Sequence, residues 1–143
     1  VSQLYGGRRL SIMASTLKIN TLTGVSTAGS IAVTGEGNST TTNLQQGLIK
    51  HWIEFKQEET ETINDSFNAG ASLTDVAVGK TKVSISNVMS NANYSVTATA
   101  NQEGAVHVKS SQTTSLYEIR SIAHDGTLTD AGTISVQVAG DLA

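Results

Sequence analysis

The sequence predicts an all-β protein: an antiparallel, jelly-roll-like β-sandwich of about seven to eight strands preceded by a short β arm. Three observations carry this expectation. Thr and Ser are abundant, nineteen and seventeen residues, and Thr joins Val and Ile among the strand formers. Apolar residues recur at spacing two in successive short runs, the period of a strand with one buried face. Gly, Asn and Asp cluster between those runs about every 8–12 residues, the turn spacing of a sandwich.

A chain of 143 residues has room for one domain plus an arm. It has no cysteine and only six aromatic residues, so no disulfide staples it and few large side chains fill its core. Self-association is the expected remedy. Nine Lys and Arg are scattered and the formal charge is −3, which argues against nucleic acid as a partner. No apolar run approaches the roughly 20 residues of a membrane span, and the first thirteen residues lack the apolar stretch of a signal peptide, so no membrane insertion is expected.

Residues 1–46 read as tail, arm and linker, and residues 47–143 as the sandwich. Within the tail, Arg8-Arg9 beside Gly6-Gly7 and just upstream of Met13 reads as the translated image of a ribosome-binding site. Residues 1–12 are then an untranslated leader and translation starts at Met13; the competing reading is a native basic tail. In the arm, Leu17 and Ile19 alternate with polar residues, as do Ile31 and Val33, and these four form its expected association face. Gly35 to Asn43 is Gly, Ser, Thr and Asn with one Glu, the composition of a flexible linker.

The sandwich strands follow in order around Ile49, Ile53 and Phe55; Leu73, Val76 and Val78; Val83 and Ile85; Tyr94, Val96 and Ala98; Val106 and Val108; Tyr117 and Ile119; and Ile134, Val136 and Val138. Turns are expected at Asn68 to Gly70, Asn91 to Asn93, Asn101 to Gly104 and Asp125-Gly126. The single helical candidate, around Asn43 to Gly47, is too short to stand, and Glu58, Glu59 and Glu61 read as a solvated loop. In the first strand, strict alternation puts Ile49, Ile53 and Phe55 on one face and Leu48, Lys50, Trp52 and Glu54 on the other. Both faces carry apolar bulk, so Trp52 either meets a neighbour or is capped by its own chain.

Ile49-Lys50-His51-Trp52-Ile53-Glu54-Phe55 resembles the Ala-Lys-Ala-Trp-Val-Asn-Phe opening of a β domain that recurs in tail fibres and other virion proteins of tailed phages, marine and cyanobacterial ones included. In order, Asp65 to Asn68, Ser72-Leu73-Thr74-Asp75, Gly79 to Ile85, Met89-Ser90-Asn91-Ala92-Asn93-Tyr94 and Thr133 to Gly140 are similar to later segments of that family, and Met13 to Gly37 to its arms. His51 replaces the usual Ala and Ser90 the usual Pro. The resemblance implies a non-enzymatic virion structural protein assembled in the host cytoplasm, a homotrimeric tail-fibre or fibre-like appendage that works with other virion proteins in host attachment. Trp52, Phe55, Phe67 and Tyr94 would be its packing or interface anchors. The alternatives are a carbohydrate-binding recognition module reading host surface glycans, and a capsid decoration protein.

The residues themselves offer little catalytic chemistry. His51, His107 and His124 form no HxH or HExxH pattern. His51 shares the apolar face of its strand and reads as a satisfied, semi-buried histidine, and His124-Asp125-Gly126 as a hairpin tip. Asp65, Asp75, Asp125, Asp130 and Asp141 sit mostly in turn contexts, where Asp bonds its own backbone. No nucleophile elbow or phosphate-cradling glycine loop is present, so no catalytic residue, metal ligand or cofactor is assigned.

Overall fold

Alternation of buried and exposed residues sets the strands, and turn residues set where they end. The computed structural model describes residues 16–24, 31–35, 38–102, 104–109 and 111–143. The leader and start-site expectation, together with residues 1–15, lies outside them. Among the described residues ten strands follow in order: β1 Ala32–Thr34, β2 Thr41–Asn43, β3 Ile49–Lys56, β4 Thr62–Phe67, β5 Ala69–Ala77, β6 Lys80–Ile85, β7 Ser95–Ala100, β8 Gly104–Val108, β9 Leu116–Ala123 and β10 Ile134–Ala139. Strands β3 to β10 build two four-stranded antiparallel sheets, ordered β4-β3-β10-β7 and β5-β6-β9-β8, the sandwich expected from the sequence.

The sandwich's first and last strands are neighbours at the centre of one sheet, with Phe55 opposite Ile134 and Ile53 opposite Val136. From this sheet Ile53, Phe55, Ile134, Val136 and Val138 point inward, and from the other Val83, Ile85, Tyr117 and Ile119; all nine are buried. Met89 and Tyr94 close one end of this core. The Tyr94 hydroxyl reaches the carbonyl oxygens of Thr113 and Leu116, both at 2.9 Å, and burial pushes its pKa up to about 12.

The other end is polar. Gln57, Thr81 and Ser121 are buried at positions that continue the inward rows of β3, β6 and β9. Gln57 Nε2 donates to Thr81 Oγ1 at 2.8 Å, and Gln57 Oε1 accepts from Ser121 Oγ at 2.5 Å and from the Ala131 N–H at 3.1 Å. Glu61, expected in a solvated loop, instead accepts a hydrogen bond from Thr81 Oγ1. Its Oε2 is buried without a partner, and burial raises its pKa.

The chain changes sheets between β4 and β5 at Asn68, which sits in the left-handed region with φ 57°, a conformation Asn tolerates better than most residues. Its side chain donates to the carbonyls of Lys50 at 2.9 Å and Asn87 at 3.2 Å, and accepts from the Asn87 N–H at 2.6 Å. The expected turn at 68–70 is thus a corner between sheets. The β5–β6 hairpin turns through Val78 and Gly79, and Gly79 donates its N–H to Asp130 Oδ1 at 2.6 Å. Asp125-Gly126 forms the expected hairpin tip, with Ala123 and Thr127 bonded across it. Residues 44–47 form a turn, closed by the Gly47 N–H on the Asn43 carbonyl at 3.1 Å.

Upstream, the segment expected to be a featureless linker contributes a strand: Thr41–Asn43 pairs antiparallel with Ala32–Thr34. Val33 lies in this ribbon and is exposed, and Ile31 accepts the Leu44 N–H at its edge. Leu17 and Ile19, expected in the association face of the arm, lie in no strand and are exposed.

Candidate functional site

Strict alternation along β3 fails at one place. Lys50 and His51 are both buried, because the ladder to β10 passes from Val138 opposite His51 directly to Ala139 opposite Ile49. This bulge puts two successive side chains on the inner side. Ile49 therefore moves to the outer face, a correction to its expected place beside Ile53 and Phe55, and Lys50 leaves the outer face. The outward set of β3 becomes Ile49, Trp52 and Glu54, all exposed.

Trp52 stands directly opposite Phe67 on β4, a cross-strand pair close enough for aromatic side chains to interact. Ile49, Trp52 and Phe67 are 43%, 37% and 54% exposed, so the described chain does not cap Trp52. The same cross-strand row continues to Gln137 and Thr97, and the next row reads Asp65, Glu54, Ser135 and Thr99. The result is an apolar platform beside amide, hydroxyl and carboxylate groups on one sheet face. Asn64 donates to Glu54 Oε1 at 3.2 Å, and Asp65 Oδ1 accepts the Ser66 N–H at 2.8 Å.

The platform is held from beneath. His51 Nδ1 lies 3.0 Å from the Asn68 carbonyl and Nε2 2.7 Å from the Tyr117 hydroxyl. A carbonyl only accepts, so Nδ1 carries the proton and Nε2 accepts the tyrosine O–H. Burial lowers the His51 pKa, and the hydrogen bonds to Asn68 and Phe67 backbone oppose that shift. His51 is thus the satisfied histidine that its position in the strand implied, although fully rather than semi-buried.

A pH dependence follows. The unfolded chain protonates His51 near 6.5, while the fold resists protonation until lower pH. The stability His51 contributes is present above 6.5 and falls as pH drops through its folded value, by at most about 1.4 kcal/mol per pH unit. Glu61, raised by burial, acts with the opposite sign from about its ordinary value of 4.5 upward. Burial would also raise Glu118, but its bond to Arg120 and the charges of Lys109 and Arg120 outweigh that and hold it low, so its loss comes at still lower pH. Urea melts from pH 7 to 5 should show falling stability that flattens in His51→Gln; an unchanged slope in the variant assigns the effect elsewhere.

Of the four sandwich anchors expected from the sequence, Phe55 and Tyr94 are core, and Trp52 and Phe67 form the exposed pair. Ile49 was missed as a patch residue because a bulge leaves no mark on the apolar pattern. His107 and His124 are exposed, and among the described residues no group of three or more His, Cys, Asp or Glu is placed to hold a metal. Asp125 bonds its own local backbone as expected of a turn aspartate, whereas Asp65 and Asp75, also expected in turn contexts, lie within β4 and β5. Asp130 instead holds the β5–β6 turn. Comparison with protein-family models, curated proteins and solved structures gives no match.

Proposed function

We propose that this chain is a non-enzymatic virion structural protein, a homotrimeric tail-fibre-like appendage that displays its sandwich for host-surface adhesion. The observation that carries the reading is the Ile49-Trp52-Phe67 platform, a rigid apolar surface left open on the outer face of a sheet. Such exposed clusters rimmed by polar residues mark contact sites. The exposed apolar arm supports self-association, and the phage-like order of segments from Ile49 to Gly140 supports the virion setting. Adhesion to glycan is the chemistry that fits the platform: aromatic rings pack on the C–H face of a sugar, while Gln137, Thr97 and Glu54 offer hydrogen bonds to its hydroxyls.

The test is the solution mass by light scattering of the full chain, in which three copies of a 14.9 kDa polypeptide distinguish a trimer from a monomer. A monomer defeats the appendage reading. For adhesion, Trp52 is the only tryptophan, so its fluorescence reports on the platform alone. Retention on an array of bacterial surface polysaccharides should shift that emission. Trp52→Ala should weaken retention roughly 30-fold, the effect of losing an aromatic hot spot worth about 2 kcal/mol. Retention unaffected by Trp52→Ala removes the platform from adhesion.

A further inference from the structure

The side of the sandwich bounded by β7 and β8 is open. These edge strands face each other across the two sheets, but no ladder joins them. On β7, the Asn101 N–H bonds the Thr133 carbonyl of the strand β10 side. In an antiparallel pair, backbone groups alternate between the two edges. Those of Val96, Ala98 and Ala100 therefore point away from β10, toward the open side. Beside them lies a recess of about 260 Å³, lined by small side chains including Ala98, Ala100 and Ala105. Gln102 also lines it, and its Nε2 is buried with no hydrogen-bond partner.

The arm carries the matching deficit. Residues 16–22 read Thr-Leu-Lys-Ile-Asn-Thr-Leu, with Leu17 and Ile19 at strand spacing. Neither pairs with a strand among the described residues, and they are 77% and 49% exposed. No proline interrupts the chain, so every arm residue has an N–H to donate. Leu17 and Ile19 share the two-residue period of Ala98 and Ala100. Their bulk matches what those alanines leave empty.

We infer that residues 16–22 of one copy add as a strand along the free edge of β7 in a second copy, seating Leu17 and Ile19 in the recess. Strand addition of this kind draws affinity from backbone hydrogen bonds and specificity from alternate side chains in pockets. Each copy has one arm to give and one edge to fill, so the exchange is head-to-tail, a contact that gives a closed ring such as a trimer where the rotation between copies closes and an open filament where it does not. The inference rests on the self-association proposed above and names the contact that produces it.

The chain has no cysteine, so introduced thiols report without background. Ile19→Cys and Ala100→Cys variants, mixed in denaturant, refolded together and oxidised, should give a disulfide-linked dimer on non-reducing gels. Neither variant refolded alone should give one. Ala100→Cys is a small change and Ile19 is exposed, and a circular dichroism melt checks that both variants fold. Light scattering on the wild-type chain separates the two ideas. An oligomer without the mixed cross-link overturns the arm exchange while leaving the appendage reading standing, and a wild-type monomer defeats both. If a third variant carrying both Ile19→Cys and Ala100→Cys instead closes its disulfide within one chain, the arm docks on its own sandwich and the exchange is overturned.

Discussion

Gly79→Ala is expected to cost about 2–6 kcal/mol, the sum of a left-handed backbone penalty and of overpacking, each roughly 1–3 kcal/mol. Gly79 has φ +66°, and an added Cβ would stand 2.7 Å from the Ser121 carbonyl oxygen and 2.8 and 2.9 Å from the backbone N and O of Thr129. Backbone closes in from two segments, so no side-chain rotation relieves the collision. The same glycine gives its N–H to Asp130 and its carbonyl to the Ser121 N–H, so displacing it also breaks the seam between the β5–β6 turn and β9. Total stabilities of small domains are about 5–15 kcal/mol, and a loss of this size leaves little folded protein. Gly126→Ala is the control. Its φ is +86° but nothing lies within 4 Å of the added Cβ, so only the backbone penalty remains. Urea midpoints of the two variants separate crowding from conformation. Equal losses would mean that the close approach to Ser121 and Thr129 is not a constraint.

Phe55→Ala is expected to cost about 3–5 kcal/mol, the range for deleting a buried Phe. Phe55 is fully buried at the centre of the inner face, opposite Ile134 and Ile63. The surrounding residues come from both sheets, so the cavity cannot close by moving one strand. Phe67→Ala lies one strand away on the opposite face and should cost less than about 0.5 kcal/mol in an isolated chain, the usual range for surface positions. The comparison also reads the assembly. A loss at Phe67 approaching that at Phe55, and growing with protein concentration, would show that a second copy covers the platform.

Much of the sandwich was legible because period-two apolar runs survive into the fold: Phe55, Tyr94, Tyr117 and the residues of β10 lie where alternation puts them. Phe67 was singled out through its place in a resembling segment, and its outward direction required the pairing with Trp52. The patch was only half legible. Trp52 stood out by its type, but Ile49 joined it through a bulge, and an inserted residue has no signature in apolar spacing. At β5 a register shift between Asp75 and Ala77 likewise accompanies exposure of Val76, which the pattern had grouped with Leu73. The polar end of the core left a signal that apolar counting passes over. Gln57 continues the row of Ile53 and Phe55, Thr81 that of Val83 and Ile85, and Ser121 that of Tyr117 and Ile119, so extending each alternation by one step finds all three. Glu61 was unreadable locally, since only the approach of Thr81 from another sheet draws it inward. Thr41–Asn43 was hidden because its pairing needs backbone alone, and a Thr-rich segment reads equally as linker or strand.

The adjacency of β3 and β10 bears on how the molecule comes into being. A ribosome delivers the residues of β3 well before those of β10, and until Ile134 to Val138 emerge, Ile53 and Phe55 have no central partner. Contacts so distant in sequence make for slow folding. The nascent chain must keep these apolar side chains from straying until β10 arrives, and a sequence sparing in large aromatics and rich in Thr and Ser is well suited to that wait.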